Sequence, residues 1–356
     1  MKASKVILRI LLVLVTFLLV TFIGAYATLY TICNGPSESA KQMFVTTMLE
    51  TGALKFLAKW YFSEEEIAQF TQNNGMIHND AEVDTDLIVI SDDVAEAETD
   101  EEFDENGIRI EEITGRTFFA KMMIIKDPSR VTSTTIYPWS DLNHSKDGKT
   151  LEELVTEGDY LAGINGGEYE SSGNWGGLPK GVVVCKGEIQ FNRPENGDVL
   201  VGFSKDHKLV IKDISNFSAE NAAKVVEENE IMDAVCFKDL NGTDNNHFTK
   251  LIVNGEATQI TGSGSGANPR TAIGQRADGA VLFLVCDGRG ASGHLGATAA
   301  DVIGIMQDYG AVNAANLDGG SSSSMYYNGQ YEMTSVTLYY STSSWRLPTA
   351  FVVTKP

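Results

Sequence analysis

The chain has 356 residues, 43% of them hydrophobic, and its formal net charge is −21. That hydrophobic share permits a buried core, but so acidic a chain is a poor partner for nucleic acid or anionic lipid, because both require clustered cations. An anionic substrate would have to be bound by a few local arginines or lysines.

The N-terminus carries Lys2, Lys5 and Arg9 ahead of an uninterrupted apolar stretch over residues 10–27. This length approaches the roughly 20 residues that a helix needs to cross a bilayer. Basic flanks stay in the cytoplasm, so the rest of the chain is expected outside it. We predict a single-pass membrane anchor over residues 1–30. The triplet 25–27, Ala-Tyr-Ala, also matches a signal-peptide cleavage site, which is the alternative.

Two segments connect this anchor to the rest of the chain. Residues 31–78 carry apolar side chains at spacings of three and four, which predicts a helical stalk. Residues 79–106 are rich in Asp and Glu, which predicts a solvated acidic linker. The acidic residues lack the spacing of an EF-hand loop.

From residue 107 to 356 the pattern predicts one strand-rich domain. Short β-type runs cover residues 117–125, 160–164, 181–185, 199–203, 209–211, 251–253, 271–274, 280–286, 313–317 and 351–354. Turn dipeptides such as Asp-Gly and Asn-Gly separate them. Helices are predicted over 219–228 and 299–309. The second has Thr298 as its N-cap, Asp301 three residues later to complete a capping box, and Gly310 at its C-terminal end. We therefore predict an α+β fold with a mixed sheet.

The helix at 299–309 lies between two apolar runs, which is the signature of a β-α-β crossover between parallel strands. The first run ends at Asp287 and the second at Asp318. Both carboxylates are then expected at the same edge of the sheet, where ligands bind in open α/β sheets. A separation of one or two strand spacings, about 5 to 10 Å, would suit the paired acids of glycoside hydrolysis. The alternative is that each Asp only stabilises its own turn.

Glycines and cysteines add weaker signals. Glycines at 166–167, 176–177 and 262–266 could let backbone N–H groups approach a ligand, or could serve plain turns. Cys185, Cys236 and Cys286 lie in or at the end of apolar runs and are expected to be buried thiols. A disulfide among them stays open.

Four ordered segments resemble the phosphodiester glycosidase family. They are residues 163–169 (GINGGEY), 268–274 (NPRTAIG), 287–289 (DGR) followed by 296–298 (GAT), and 315–325 (ANLDGGSSSSM). The resemblance covers about residues 107–356. It implies hydrolysis of a sugar-1-phosphodiester, with substrates in envelope or exopolysaccharide glycans. Two positions depart from the family pattern: Glu168 replaces an aromatic residue, and Ser321 replaces a third glycine.

A mechanistic hypothesis assigns roles to these segments. The candidate catalytic residues are Asp287, Asp318, Glu168 and His294. The candidate substrate-binding residues are Asn165, Gly166, Gly167, Arg270, Arg289, Gly319, Gly320, Ser322 and Arg346. The arginines are expected to hold phosphate, because a guanidinium can contact two of its oxygens at once. No His, Cys and carboxylate spacing indicates a metal, and a calcium site built from carbonyl oxygens stays open.

Three other functions fit the same sequence. The domain could bind glycans or assist polysaccharide assembly without turnover, since fold does not determine function. It could be a glycosidase acting on neutral oligosaccharides, for which the arginines would be dispensable. A serine nucleophile from residues 321–324 is the third alternative, although no G-x-S-x-G motif surrounds it.

Overall fold

The computed structural model describes residues 2–51, 54–90, 102–136, 147–170, 176–241, 246–335 and 343–356. The helices are α1 (Lys2–Asn34), α2 (Glu38–Leu49), α3 (Lys55–Tyr61), α4 (Glu64–Asn73), α5 (Leu151–Glu157), α6 (Ala219–Glu228) and α7 (Ala299–Asp308). In α1, Lys5–Asn34 has a mean hydropathy of 2.9 and is exposed along the apolar window. By length and composition it can cross a bilayer, a property that signal sequences share.

The strands begin at residue 108. They are β1 (Ile108–Thr114), β2 (Phe119–Ile125), β3 (Val131–Thr135), β4 (Tyr160–Asn165), β5 (Tyr169–Glu170), β6 (Leu178–Pro179), β7 (Gly181–Cys185), β8 (Glu188–Arg193), β9 (Asp198–Ser204), β10 (Leu209–Asp213), β11 (Ile231–Lys238), β12 (Leu240–Asn241), β13 (Asn246–His247), β14 (Lys250–Val253), β15 (Glu256–Ala257), β16 (Arg270–Arg276), β17 (Val281–Cys286), β18 (Ala311–Asn316), β19 (Ser324–Tyr327), β20 (Gln330–Thr334) and β21 (Thr349–Thr354).

Within the described ranges these strands form three large sheets. The first has the order β1-β2-β17-β16-β18-β14-β15, the second β10-β9-β11-β7-β8, and the third β20-β19-β4-β21-β3. The predicted α+β class is confirmed. Hydrogen-bonded neighbours in the first sheet run antiparallel, and the strands of the predicted crossover, β17 and β18, are parallel to each other with β16 between them.

A core shared by the three sheets explains the unbroken apolar runs. In β17, Val281, Phe283 and Val285 face a central cluster that also contains residues of the second and third sheets. The other alternate residues, such as Leu284, face α7. Because both faces of the strand are buried, both sets of positions must be apolar. Helices α6 and α5 cover the outer faces of the second and third sheets in the same manner.

The helices predicted as a stalk pack directly on this body. The side chain of Asn74 donates to Thr46 Oγ1 at 2.9 Å and to the carbonyl of Ser265 at 3.2 Å. A Cβ on Gly266 would lie 2.3 Å from the backbone nitrogen of Thr47, so only glycine allows this approach. In this loop, glycine serves the contact between α2 and the sheet domain.

The acidic segment 79–106 is anchored at both of its described ends. Lys250 Nζ donates to the carbonyls of Asn79 and Ala81, and Val89 N–H donates to the carbonyl of Ala277. At the other end Asp104 accepts from the N–H of Ile108. These flanks therefore belong to the folded body. The predicted linker residues 91–101 lie outside the described residues.

All four cysteines lie in the part of the chain that the structure describes, and all are free thiols. Cys236 and Cys286 are buried as expected, and burial raises the pKa of both thiols. Cys185, the last residue of β7, is only partly buried, and its sulfur lies 3.1 Å from Ser133 Oγ on β3.

Candidate active site

A cavity of about 440 Å³ opens where β16 begins and β18 ends, a volume suited to a small ligand. Four carboxylate and four cationic side chains line it. They are Glu50, Glu168, Glu170 and Asp318, and Lys55, Lys180, Arg270 and Arg289. The whole chain has a net charge of −21, but in the cavity lining the acidic and basic side chains are equal in number. The four cations supply positive charge that an anionic group can contact inside an otherwise acidic chain.

Asp318 is held at the cavity wall by the loop that follows β18. Its backbone carbonyl accepts from Asn165 Nδ2 at 2.6 Å. Its carboxyl group is hydrogen-bonded to the Ser322 hydroxyl and the Gly319 N–H. Burial raises the pKa of Asp318 to about 7, the charge of Glu168 acts in the same direction, and the hydrogen bond from Ser322 opposes them. A carboxyl group with this pKa can exchange a proton near neutral pH.

Tyr169 extends this hydrogen-bonded group. Its hydroxyl lies 3.0 Å from Ser322 Oγ, which links it to Asp318. Burial raises the pKa of Tyr169, so its hydroxyl keeps its proton at neutral pH. The tyrosine and the serine thereby fix the orientation of the carboxyl group.

Glu168 is the second carboxylate of the cavity. Its N–H donates to the carbonyl of Cys236 at 2.8 Å, which fixes the backbone beside β11. Its Oε1 lies 3.3 Å from Lys180 Nζ. Its Oε2 is buried and has no hydrogen-bond partner among the described residues. Buried oxygens without a hydrogen-bond donor are rare in folded proteins, and they often belong to residues with a catalytic role.

Arg289 points its guanidinium at the loop that carries Asp318. Its Nη1 donates to Ser321 Oγ at 3.0 Å, and its buried Nε lacks a partner within the described residues. Arg289 has φ 55°, a conformation that costs energy for a side chain with a Cβ. Gly320 has φ 62°, and a Cβ there would lie 2.7 Å from Arg289 Nη2, so this backbone conformation beside the guanidinium favours glycine. Burial lowers the pKa of Arg289, yet an arginine stays cationic at neutral pH.

Arg270 is already paired with a residue from the N-terminal helices. Its Nη2 donates to the carboxylate of Glu50, to Ser265 Oγ at 3.0 Å and to the carbonyl of Gly266 at 2.8 Å. The guanidinium also lies 5.1 Å from the ring centroid of Phe248. This arginine is 7% exposed, so most of its donors are committed within the protein.

Glu50 is held as firmly as the arginine that it contacts. Its side chain is 3% exposed. It accepts from Asn246 Nδ2 at 2.7 Å, from the N–H of Gly266 at 2.9 Å and from Asn268 Nδ2 at 3.1 Å. The carboxylate therefore joins α2 to β13 and to the loop that precedes β16.

Asp287 lies at the same sheet edge but outside the cavity, which corrects the expectation that it would face Asp318. Its carboxylate accepts from the N–H of Phe119 at 2.7 Å and lies 2.7 Å from His294 Nδ1. One oxygen thus binds the start of β2 and the other binds His294 of the loop over residues 287–296. His294 also lies outside the cavity, so this pair supports the loop that carries Arg289.

Four of the predicted substrate-binding residues also lie outside the cavity. Asn165 is fully buried and accepts from Thr271 Oγ1 at 2.8 Å. Gly166 and Gly167 press against β21 and β11, where a Cβ would meet neighbouring atoms at 2.4 and 2.3 Å. Arg346 donates to the carbonyl of Gly148 at 2.8 Å. Their contacts are structural, whereas Gly319, Gly320 and Ser322 do line the cavity.

Several lining residues carried no signal of their own in the sequence. They are Glu50, Lys55, Lys180, Phe237, His247 and Trp345. Tyr169 and Asn268 stood inside the quoted segments, so their position beside Glu168 and Arg270 could have been noticed. Burial lowers the pKa of His247 to about 4, so this histidine is neutral at pH 7.

No group of three or more His, Cys, Asp or Glu side chains is placed to hold a metal ion among the described residues. A calcium site built from backbone carbonyls, which the sequence left open, stays a prediction.

The family model described as phosphodiester glycosidase matches residues 158–354. The catalytic domain of zebrafish N-acetylglucosamine-1-phosphodiester alpha-N-acetylglucosaminidase, which is auto-inhibited by its pro-peptide, shares 21% identity with this chain. That match covers 70% of this chain and 82% of the zebrafish chain with a TM-score of 0.50, which shows a common fold.

Two further proteins are similar. A hypothetical protein from Synechocystis shares 15% identity over 70% of this chain and 61% of its own, with a TM-score of 0.43. The SPbeta prophage-derived uncharacterized protein YomE of Bacillus subtilis (strain 168) is 42% identical over 64 residues. That segment is 18% of this chain and 10% of the relative, so the match spans about a tenth of YomE.

Proposed function

Because this chain belongs to the phosphodiester glycosidase family, we propose that it hydrolyses the bond between a sugar's anomeric carbon and a phosphodiester. Water adds to the sugar, and the phosphate leaves as a phosphomonoester. One observation carries the proposal: a single cavity brings Asp318 and Glu168 together with Arg289 and two lysines. Two carboxylates and a phosphate-binding cation are the groups that this reaction needs.

Each group has a chemical task. Arg289, with the Ser321 hydroxyl beside it, binds the phosphate and stabilises the charge that grows on it as the bond breaks. Phosphate leaves readily, so the base matters more than an acid. Asp318, with a pKa of about 7, takes a proton from the attacking water. Glu168, held by Lys180, stabilises the positive charge at the anomeric carbon or attacks it as a nucleophile.

Arg270 and Glu50 act by positioning. The zebrafish catalytic domain is auto-inhibited by its pro-peptide. Glu50 also comes from an N-terminal segment and lines the cavity, so two roles are open to it: blocking the cavity or positioning Arg270. In this chain a cavity of about 440 Å³ stays open beside Glu50, and the close contact of Gly266 with Thr47 holds α2 against the body. We therefore assign Glu50 to holding Arg270 at the rim.

The location and substrate complete the proposal. Helix α1 anchors the chain as a single-pass membrane protein, and the domain faces the extracytoplasmic side because the basic residues precede the span. The substrate is then a phosphodiester-linked carbohydrate of the envelope or of an exopolysaccharide. Glycan binding without turnover on the same fold is the alternative.

The test is an assay of the full chain in detergent against a panel of soluble sugar-1-phosphodiesters. Neutral aryl glycosides of the same sugars serve as the matched control. We expect sugar release from phosphodiesters alone. Binding by calorimetry without any release would support the binding module, and equal cleavage of the neutral glycosides would support a plain glycosidase. The Asp318→Asn variant gives the background rate.

A further inference from the structure

The short helix α3 and its N-cap residue expose an apolar patch made of Leu54, Phe56 and Trp60. Their side chains are 38%, 45% and 74% exposed. The rings of Phe56 and Trp60 contact each other edge to face at 4.9 Å, so they form one continuous surface. Apart from this patch and α1, the exposed large apolar residues are scattered along the chain. An exposed apolar patch usually marks a contact surface.

The position of this patch identifies what it contacts. The last turns of α1, through Leu29, Ile32 and Cys33, share one apolar cluster with α2, α3 and α4. Tyr26 and Tyr30 are exposed in the same part of α1, and aromatic rings favour the membrane interface. From Tyr30 to Asn34 the helix rises only about 6 Å. If α1 spans the bilayer, α3 therefore lies in or beside its headgroup region.

The composition of α3 suits that location. Its sequence, KFLAKWY, contains Lys55 and Lys59 and no acidic residue, although the whole chain carries a net charge of −21. Aromatic residues beside lysines are typical of helices that lie at a lipid surface. The inner side of α3 is occupied, since Ala58 is buried in the helical cluster and Leu57 packs against it.

The patch is also next to the mouth of the cavity. Lys55 lines that cavity and directly precedes Phe56, about 3.8 Å along the backbone. Trp60 follows Lys55 after five residues, a rise of about 7.5 Å. Whatever surface holds Phe56 and Trp60 is therefore within about 10 Å of a residue of the cavity wall.

We propose that Leu54, Phe56 and Trp60 rest on the extracytoplasmic lipid surface beside α1 and hold the cavity mouth there. The substrate is then a membrane-attached sugar phosphodiester, whose lipid end stays in the bilayer while its anomeric phosphate reaches Arg289. This inference rests on the proposed function for its substrate, but the contact with lipid can be tested independently.

The first test measures the contact itself. The full chain is reconstituted in nanodiscs of phosphatidylcholine that carries a doxyl group near the headgroup. Subtracting the spectrum of Trp60→Phe isolates the fluorescence of Trp60 from that of the other tryptophans. We expect the doxyl group to quench at least about half of this signal, because it quenches only tryptophans that lie close to it and aromatic rings at the interface lie at the depth of the headgroups. A Trp60 signal that doxyl lipid leaves unchanged, and that aqueous acrylamide quenches, overturns the proposal.

The second test measures the consequence. Phe56→Ser combined with Trp60→Ser should lower hydrolysis of a lipid-attached sugar phosphodiester by about tenfold, the effect of losing part of the apolar contact. Hydrolysis of the soluble counterpart should stay within about twofold, because neither side chain lines the cavity. Phe217→Ser is the matched control, an aromatic residue 38% exposed in the segment before α6.

The outcomes separate the two proposals. If the wild type cuts neither substrate, the proposed function fails while the quenching result still stands on its own. If the wild type cuts both and the double variant cuts the lipid-attached one equally well, the patch does not hold the cavity mouth at a lipid-attached substrate, and the proposed function survives.

Discussion

Asp287 and Asp318 occupy equivalent places in the topology and serve different purposes. Each follows a strand of the first sheet, and the two strands run in the same direction on either side of β16. The carboxylate of Asp287 is held by the N–H of Phe119 at the start of β2 and by His294 of the following loop. Asp318 faces the cavity, with Ser322 and the Gly319 N–H as its partners.

The difference teaches that a sheet edge sets where a residue lies, and its immediate contacts set what it can do. Asp287 is fixed by a short loop that folds back on it, so its carboxylate supports the backbone around Arg289. Asp318 is followed by two glycines and by serines, which leave its carboxyl group beside an open volume. Burial there raises its pKa, which prepares it for proton transfer.

The largest expected effect comes from exchanging the two acids for their amides. Asp318→Asn should lower kcat by about 10³-fold, since it removes the base. Asp287→Asn should lower it by only about tenfold, because it disturbs a supporting loop. Both rates are measured on one soluble sugar-1-phosphodiester, with circular dichroism as the folding control. A larger loss for Asp287→Asn would reverse the assignment.

A similar contrast separates two arginines that the sequence proposed together. Arg289→Ala should lower kcat/KM by about 100-fold, the value of a charge-assisted contact to phosphate. Arg346→Ala should change it by less than about threefold, because its guanidinium binds Gly148 away from the cavity. Equal losses would show that Arg346 reaches the substrate after all.

The pH profile tests the state in which Asp318 works. Its raised pKa means that the carboxyl group is mostly protonated below about pH 7 and charged above it. A base must be charged, so kcat should rise about tenfold per pH unit below 7 and level off above it. Asp287→Asn should keep this profile, and Asp318→Asn should lose it. A rate that falls above pH 7 would make Asp318 the acid of the reaction.

The sequence was informative where one local pattern determines the structure. The apolar run of β17 and the capping box of α7 are local patterns, and both were predicted correctly. The two acids do follow β17 and β18 at one sheet edge, although only Asp318 lines the cavity. The family segments likewise indicated Glu168, Arg289 and Asp318, which meet in the cavity.

Contacts between distant segments could not be predicted in this way. Nothing in the helical pattern around Glu50 shows that it pairs with Arg270, 220 positions further along the chain. In the sequence, the glycines at 262–266 are equally consistent with a ligand-binding loop and with a close contact between two segments. The structure decides between them, because α2 packs against Gly266. The same holds for Arg346, whose partner Gly148 lies 198 positions away.

The smallest expected effect concerns the pair of Glu50 and Arg270. Glu50→Gln keeps the volume but removes the charge opposite a buried guanidinium, so Arg270 should lose its fixed orientation. We expect kcat to fall about fivefold, with Glu50→Asp retaining part of the rate. Glu38→Gln in the same helix is the control, since Glu38 pairs with Lys41 at the surface and should have no effect. An increase in activity for Glu50→Gln would show that the N-terminal helices inhibit the site, because releasing the carboxylate would then free a cation for the substrate.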